Sequence, residues 1–257
     1  MKVGKFFAVV FASMSVVGCF RPSFQPGEMP LPTTTAQEMC ADVNKKRTAT
    51  ESLRVLADAT ISSGSERASF RYVILSREPS SFRVDVLPIT GAFTLGLLVS
   101  HEGKAVWLNA QEKTYSEGDD EKKLVAEYLG LKGVSRETAV ALMTGVVPKL
   151  SCPNVRVYHV AGGDRLFVDD RSHVAWRLRA NSTEVVSVQI LDPGGSAVEV
   201  EGEVSNPVGG SARTVVLNVF SPARARVDMS LAKVVHNPTL SDQLFEVRPP
   251  RDYSRVD

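Results

Sequence analysis

The chain has 257 residues, 43% of them apolar, and its 30 Lys and Arg nearly balance 29 Asp and Glu, for a formal charge of +1. That length and apolar content suit one large or two small globular domains. With charge so evenly matched and no basic stripe, there is no electrostatic case for nucleic-acid binding.

Residues 1–18 begin with Lys2 and Lys5 and continue as a 13-residue apolar run from Phe6 to Gly18. A helix needs about 20 apolar residues to cross a bilayer, so this run fits the apolar region of a signal peptide instead. It ends in "VVGC", which resembles the bacterial lipobox, where Cys19 would be acylated and become the mature N-terminus. An ordinary secretion signal cut nearby is the alternative. Two or three acyl chains anchor a protein stably where one does not. Phe20, rather than Asp, follows the cysteine, which by the enterobacterial sorting rule directs the protein to the outer membrane. Removing residues 1–18 would leave a formal charge of −1.

Residues 19–35 contain four prolines and no periodicity, the composition of a semi-rigid tether. One domain is expected over 36–257. Thr35 and Glu38 have capping-box spacing, which predicts a helix from Ala36 to about Thr50 with Met39, Cys40 and Val43 facing inward. Cys40 and Cys152 are the two cysteines left after processing. In an oxidising compartment they either pair, closing a loop of about 110 residues, or stay as separate buried thiols.

From Val55 the pattern turns to period two, the mark of half-buried strands. Val55, Ala57, Ala59 and Ile61 share a face, as do Phe70, Tyr72 and Ile74, and then Phe82, Val84 and Val86. Phe93, Leu95, Leu97 and Val99 lead into the "HEGK" turn, and Val106 to Leu108 return from it. "TLGLLV" and "AVW" are apolar on both faces, so either both faces are covered or one lines a cavity. Leu87, Pro88 and Ile89 stand at a connection, where polar residues are usual. Such an apolar tip packs back beneath the sheet or protrudes towards a membrane or ligand.

Two short amphipathic helices interrupt the strands, one in "GDDEKKLVAEYLG" with Leu124, Val125, Tyr128 and Leu129, and one in "SRETAVALMTGVVP". Ser135 caps the second, which ends at Gly145 and Pro148. Strands resume over 155–160, 164–169, 173–180, 184–191, 197–204, 212–219 and 224–235. The absence of βαβ alternation predicts a mainly β, α+β fold. Its expected form is an antiparallel, strongly curved sheet or incomplete barrel.

Catalytic and metal-binding patterns are absent from the sequence. His101, His159, His173 and His236 occur singly, no CxxC is present, and "GDDEK" lacks the spaced acceptors of an EF-hand. Asp169 and Asp170 are neighbours, so in a strand they would point to opposite faces. No nucleophile elbow or phosphate loop occurs. No enzyme activity, cofactor or metal is expected.

The order of these elements resembles the LolA/LolB-like lipoprotein-sorting superfamily, nearest to its membrane-anchored LolB branch. The resemblance rests on the lipobox, the N-terminal helix and "FRVDVLPITG". It continues through the helical pair "LVAEYLGLKGVSRETAVALMTGVVP" to the closing "LFEVRPP", covering roughly residues 36–250. It implies an open antiparallel half-barrel of about 11 strands, with the N-terminal helix and the helical pair covering an acyl-binding apolar cavity lined by Phe70, Tyr72, Ile74, Phe82, Val84, Val86, Leu95, Leu97, Trp107, Leu129, Leu142 and Trp176. It also implies an apolar delivery tip at Leu87, Pro88 and Ile89, and a final strand at "LFEVRPP". The expected role is a monomeric, lipid-anchored outer-membrane protein that binds acyl chains of lipoproteins or lipids and delivers them, with a periplasmic LolA-like carrier as donor. A structural or assembly lipoprotein that docks envelope proteins without carrying lipid is the alternative.

Overall fold

Alternation of apolar and polar residues sorts each strand into an inner and an outer side, and the strands then assemble edge to edge. The computed structural model describes residues 22–26, 29–47, 50–78, 81–118, 134–205, 213–221 and 224–256. The strands are β1 (Ser52–Ser63), β2 (Glu66–Arg77), β3 (Ser81–Pro88), β4 (Gly96–His101), β5 (Lys104–Asn109) and β6 (Thr114–Gly118), followed by β7 (Val155–His159), β8 (Arg165–Asp169), β9 (Val174–Leu178) and β10 (Val185–Leu191). The remaining four are β11 (Val198–Ser205), β12 (Arg213–Val219), β13 (Ala225–His236) and β14 (Ser254–Arg255). Among the described residues they form one 14-stranded sheet in the order β14-β6-β5-β4-β3-β2-β1-β13-β12-β11-β10-β9-β8-β7. The expected count of about 11 is therefore too low.

Two meanders make this sheet, β1–β6 and β7–β13. They join where β1 pairs with β13 from Leu53↔His236 to Ser62↔Arg226, with a bulge at Leu56/Ala57. The sheet is open, and all its pairings are antiparallel except that of β14 with β6. It is also strongly curved. Seven strand spacings separate β2 from β8, about 34 Å if flat, yet Glu78 after β2 and Asp169 of β8 line one cleft of about 450 Å³.

Helix α1 (Thr33–Lys46) buries Ala36, Cys40 and Val43, whereas Met39 is only partly buried. It begins three residues before the expected Ala36, with Pro32 at the N-cap and no side-chain cap, so Thr35 and Glu38 form no capping box. The start is set by docking instead: the Leu31 amide donates to the Val157 carbonyl of β7, and the first helical bond runs from Ala36 N to Pro32 O. The helix ends at Lys46 rather than near Thr50, where Arg47 turns extended. Cys40 is bonded to Cys152, 112 residues away. Beside that disulfide, Asn44 Nδ2 donates to the Leu150 carbonyl at 3.0 Å and its Oδ1 accepts from the Leu150 amide at 2.9 Å.

The outer face of the sheet is covered in two places by the chain's own ends. Phe24 packs against the cluster of Tyr158, Leu166, Val168, Ala175, Leu191 and Val198, held by backbone bonds from Phe24 N to Ser196 O and from Val198 N to Pro22 O. The described part of the proline-rich segment thus lies along the folded body. On β2–β4, Leu75, Val99 and Leu97 are covered by Leu240, Leu244 and Phe245. Arg77 and His101 flank the Phe245 ring, and Arg83 donates to the Leu244 carbonyl. "LFEVRPP" is consequently not a strand. Its first residue, Leu244, ends a short 3-10 turn (Asp242–Leu244) that Phe245 caps, and its prolines lack the N–H a ladder needs.

This tail accounts for the doubly apolar "TLGLLV", where both faces are buried. Leu98 faces inward while Leu97 and Val99 face the tail. Leu97 therefore belongs to the outer face and not to an inner cavity. The expected Phe93–Val99 strand begins only at Gly96, which leaves Phe93 in the preceding connection.

Candidate functional site

The inner face carries the main apolar core, and helix α2 (Arg136–Thr144) lies on it against β10, β11 and β13. Local chemistry fixes both helix ends. The Ser135 hydroxyl accepts from the Thr138 amide, and Gly145 closes the helix with φ +69°, a conformation glycine adopts without cost. Arg213 holds the C-terminal end by donating to the Met143 carbonyl at 3.2 Å, where a cation suits the helix dipole. Burial lowers the Arg213 pKa, partly countered by nearby Glu184.

Under α2 the site is made by an absent side chain. Gly202 of β11 faces inward, and Leu142 of α2 settles onto it, with its Cδ2 3.1 Å from where a β-carbon would stand. Next to this contact lies an apolar cavity of about 100 Å³. Tyr72, Ile74, Phe82 and Val84 form one wall and Val215, Leu217, Val227 and Met229 the other, with Val134, Ala139, Leu142 and Met143 across the top. Burial pushes the Tyr72 phenol up, so it stays neutral there.

Among the described residues that line the cavity, Arg136 is the one that is charged. Its side chain is 10% exposed, and its Nη2 reaches Glu137 Oε1 at 3.2 Å and Glu78 Oε2 at 3.6 Å. Its Nε is buried and has no hydrogen-bond partner among the described residues. At Glu137, burial pushes the carboxyl up, but its own backbone amide, the Ser135 hydroxyl and Arg136 outweigh that and hold it below the usual range. On the other flank of α2 lies the 450 Å³ cleft, lined by Arg47, Glu78, Glu137, Lys149, Asp169 and Trp176 among others.

The cavity thus brings together five of the expected residues: Tyr72, Ile74, Phe82, Val84 and Leu142. Phe70, Val86 and Trp107 are buried in the surrounding core, Trp107 packing over side-chain-free Gly96. Leu95 is partly buried against that core, and Trp176 faces the larger cleft. Leu129, with the first expected helix of the pair, lies outside the described residues, as does Cys19. Sequence reasoning missed Arg136, because an arginine after a helix cap normally projects into water.

At the β3–β4 connection the side chains divide. Pro88 and Leu87 are half-buried, whereas Ile89 is 44% and Phe93 59% exposed. The exposed apolar pair is therefore Ile89 with Phe93. Leu87 stays on the strand opposite Arg71. Asp169 accepts from the Arg171 amide in a turn, and Asp170 pairs with Arg156, so the two aspartates do not act together. Among the described residues no cluster of His, Cys, Asp or Glu could hold a metal, and no helix is long and apolar enough to cross a membrane.

No family model matches the chain, and no curated protein matches its sequence. Solved structures do match its fold. A DUF1329 family protein from Desulfovibrio piger aligns at TM-score 0.57 and 10% identity, covering 84% of this chain and 97% of that one. A LolA superfamily protein from Nitrosomonas europaea aligns at 0.54 and 11%, covering 82% and 97%. An outer membrane lipoprotein-sorting protein domain from Vibrio parahaemolyticus aligns at 0.56 and 10%, covering 83% and 97%. The chain has the LolA-like fold: mainly β, an open antiparallel sheet with a few helices.

Proposed function

We propose that this protein is a monomeric, Cys19-anchored, periplasm-facing lipoprotein of the outer membrane. In this reading it binds acyl chains of lipoproteins or lipids on its inner face and delivers them to the membrane, receiving cargo from a periplasmic LolA-like carrier. The observation that carries the reading is the apolar cavity between β1–β3, β12–β13 and α2, in a fold also found in a lipoprotein-sorting domain. Such a wall retains an acyl chain by exclusion from water alone, at about 0.8 kcal/mol per buried methylene. No cofactor or covalent step is needed.

At about 100 Å³ the cavity is smaller than the ~300–1,000 Å³ of ordinary ligand sites. Loading therefore requires α2 to lift, opening the cavity towards the cleft on its other flank. Withdrawing Leu142 from Gly202 costs roughly 2–5 kcal/mol, by analogy with deleting a buried leucine. Burial of about four to six methylenes offsets that. The chain lacking residues 1–19 should bind a fluorescent fatty-acid probe at micromolar concentration, and lipoprotein should displace it. Absence of binding would overturn the reading.

The small cavity is also what favours a second reading, a structural or assembly lipoprotein whose interior is filled by side chains. Purification of a stable protein complex with no co-purifying lipid would establish that one instead.

A further inference from the structure

Arg136 has an environment that a purely apolar binding site does not need. Nine-tenths of its side chain is buried, its Nε has no hydrogen-bond partner among the described residues, and it lines the apolar cavity beside Ser135 at the N-terminal end of α2. A buried guanidinium N–H without an acceptor is unfavourable unless something fills the vacancy. The positive end of the helix adds to the same local field. Glu78 is 49% exposed and touches only Nη2, at 3.6 Å, so its carboxylate can swing into water at little cost, whereas Arg136 cannot. Glu137 also meets only Nη2 and is held in place by its own backbone amide and the Ser135 hydroxyl.

We infer that Arg136 and the N-terminal turn of α2 bind the anionic head of an amphiphile, a carboxylate or a phosphate, whose acyl tail occupies the cavity below. This rests on the acyl-carrier reading and narrows it to ligands with an anionic group at the end of the chain. Nε and Nη2 of a guanidinium form a fork that a carboxylate or phosphate oxygen pair fits. The anion would take Nε and displace Glu78 from Nη2.

The test uses the full chain in nanodiscs of zwitterionic lipid. Three photoactivatable probes of equal chain length are compared: a fatty acid, its methyl ester and the matching alkyl phosphate. Labelling is mapped to peptides of β2, β3 and α2. The anionic probes should label these peptides about tenfold more than the ester, the scale of one charge-assisted hydrogen bond. Preference for the acid alone, or for the phosphate alone, would identify the source of the head group. Arg136→Met should bring anionic labelling down to the level that the same variant gives with the ester, while Arg136→Lys should keep part of the preference. Equal labelling by acid, phosphate and ester in the unsubstituted protein would overturn the head-group site and leave acyl binding standing, without reliance on any variant. A preference that survives Arg136→Met would overturn the assignment to this residue. No labelling of these peptides by any probe would remove the carrier reading itself.

Discussion

Gly202 offers a direct test of how α2 is seated. In Gly202→Ala the new β-carbon would stand 2.9 Å from Val188 Cγ1, 3.0 Å from Leu217 Cδ2 and 3.1 Å from Leu142 Cδ2. Carbon pairs rest at about 3.5–4.0 Å, so each neighbour must give by roughly half an ångström. Val188 and Leu217 belong to β10 and β12, the strands paired with β11 on either side. The side chain that can yield is Leu142, and α2 moves with it. Overpacking of this kind costs about 1–3 kcal/mol. One more buried methyl and the relief of a glycine in a strand return up to about 1.5 kcal/mol. A net loss near 1 kcal/mol is expected. Leu142→Ala alone should cost about 2–5 kcal/mol. In the double variant the alanine methyl occupies part of the void, so the two costs should fall short of their sum by about 1 kcal/mol. Urea unfolding of all four proteins, followed by circular dichroism, measures this cycle. Additivity within about 0.3 kcal/mol, or a Gly202→Ala protein more stable than its parent, would refute the seating of Leu142 on Gly202. Leu142→Ala should at the same time strengthen fatty-acid probe binding, because it enlarges the cavity and loosens the helix.

The Cys40–Cys152 bond closes a long loop, so Cys152→Ser should lower stability by about 4–5 kcal/mol on the chain-entropy model; a change in the urea midpoint equivalent to under 1 kcal/mol would contradict it. Ile89→Glu, at the exposed connection, should leave folding and probe binding unchanged but stop transfer of lipoprotein into outer-membrane vesicles, and normal transfer would remove the delivery role of this tip. Asp58 and Asp228 are held below the usual carboxylate range by hydrogen bonds from Arg71 and Arg226. Depressed native values make their contribution complete above about pH 4, the unfolded value, and it disappears as pH falls through the native ones. The urea midpoint should therefore fall on acidification below about pH 4, less steeply in Asp58→Asn; a midpoint that rises instead would show the opposite sign.

Strand placement was legible because sidedness is written into period two. The seven strands expected after residue 154 all form, each within one or two residues of its anticipated bounds. Ser135 and Gly145 likewise marked the ends of α2 through backbone chemistry that is local in sequence. The N-terminal helix shows where local rules fail. A capping box at Thr35–Glu38 was available, yet the contact between Leu31 and Val157 started the helix earlier. Leu97 lies on the outer face and not on the expected cavity side, because its doubly apolar strand carries no alternation to read and a tail some 140 residues away decides which face it joins.

By itself the sequence determined the kind of polymer this is: apolar and polar residues alternating along short strands, two helix positions, and a "VVGC" stretch ahead of the folded body. Alternation states which way a side chain points but not which strand lies beside it. Tertiary structure alone decided that β1 joins β13, that both chain ends cover the outer face, and that α2 rests on Gly202. It also decided that the enclosed cavity is small and that Arg136 is buried at its edge. These are properties of distances between segments far apart in the chain, and no local periodicity encodes them.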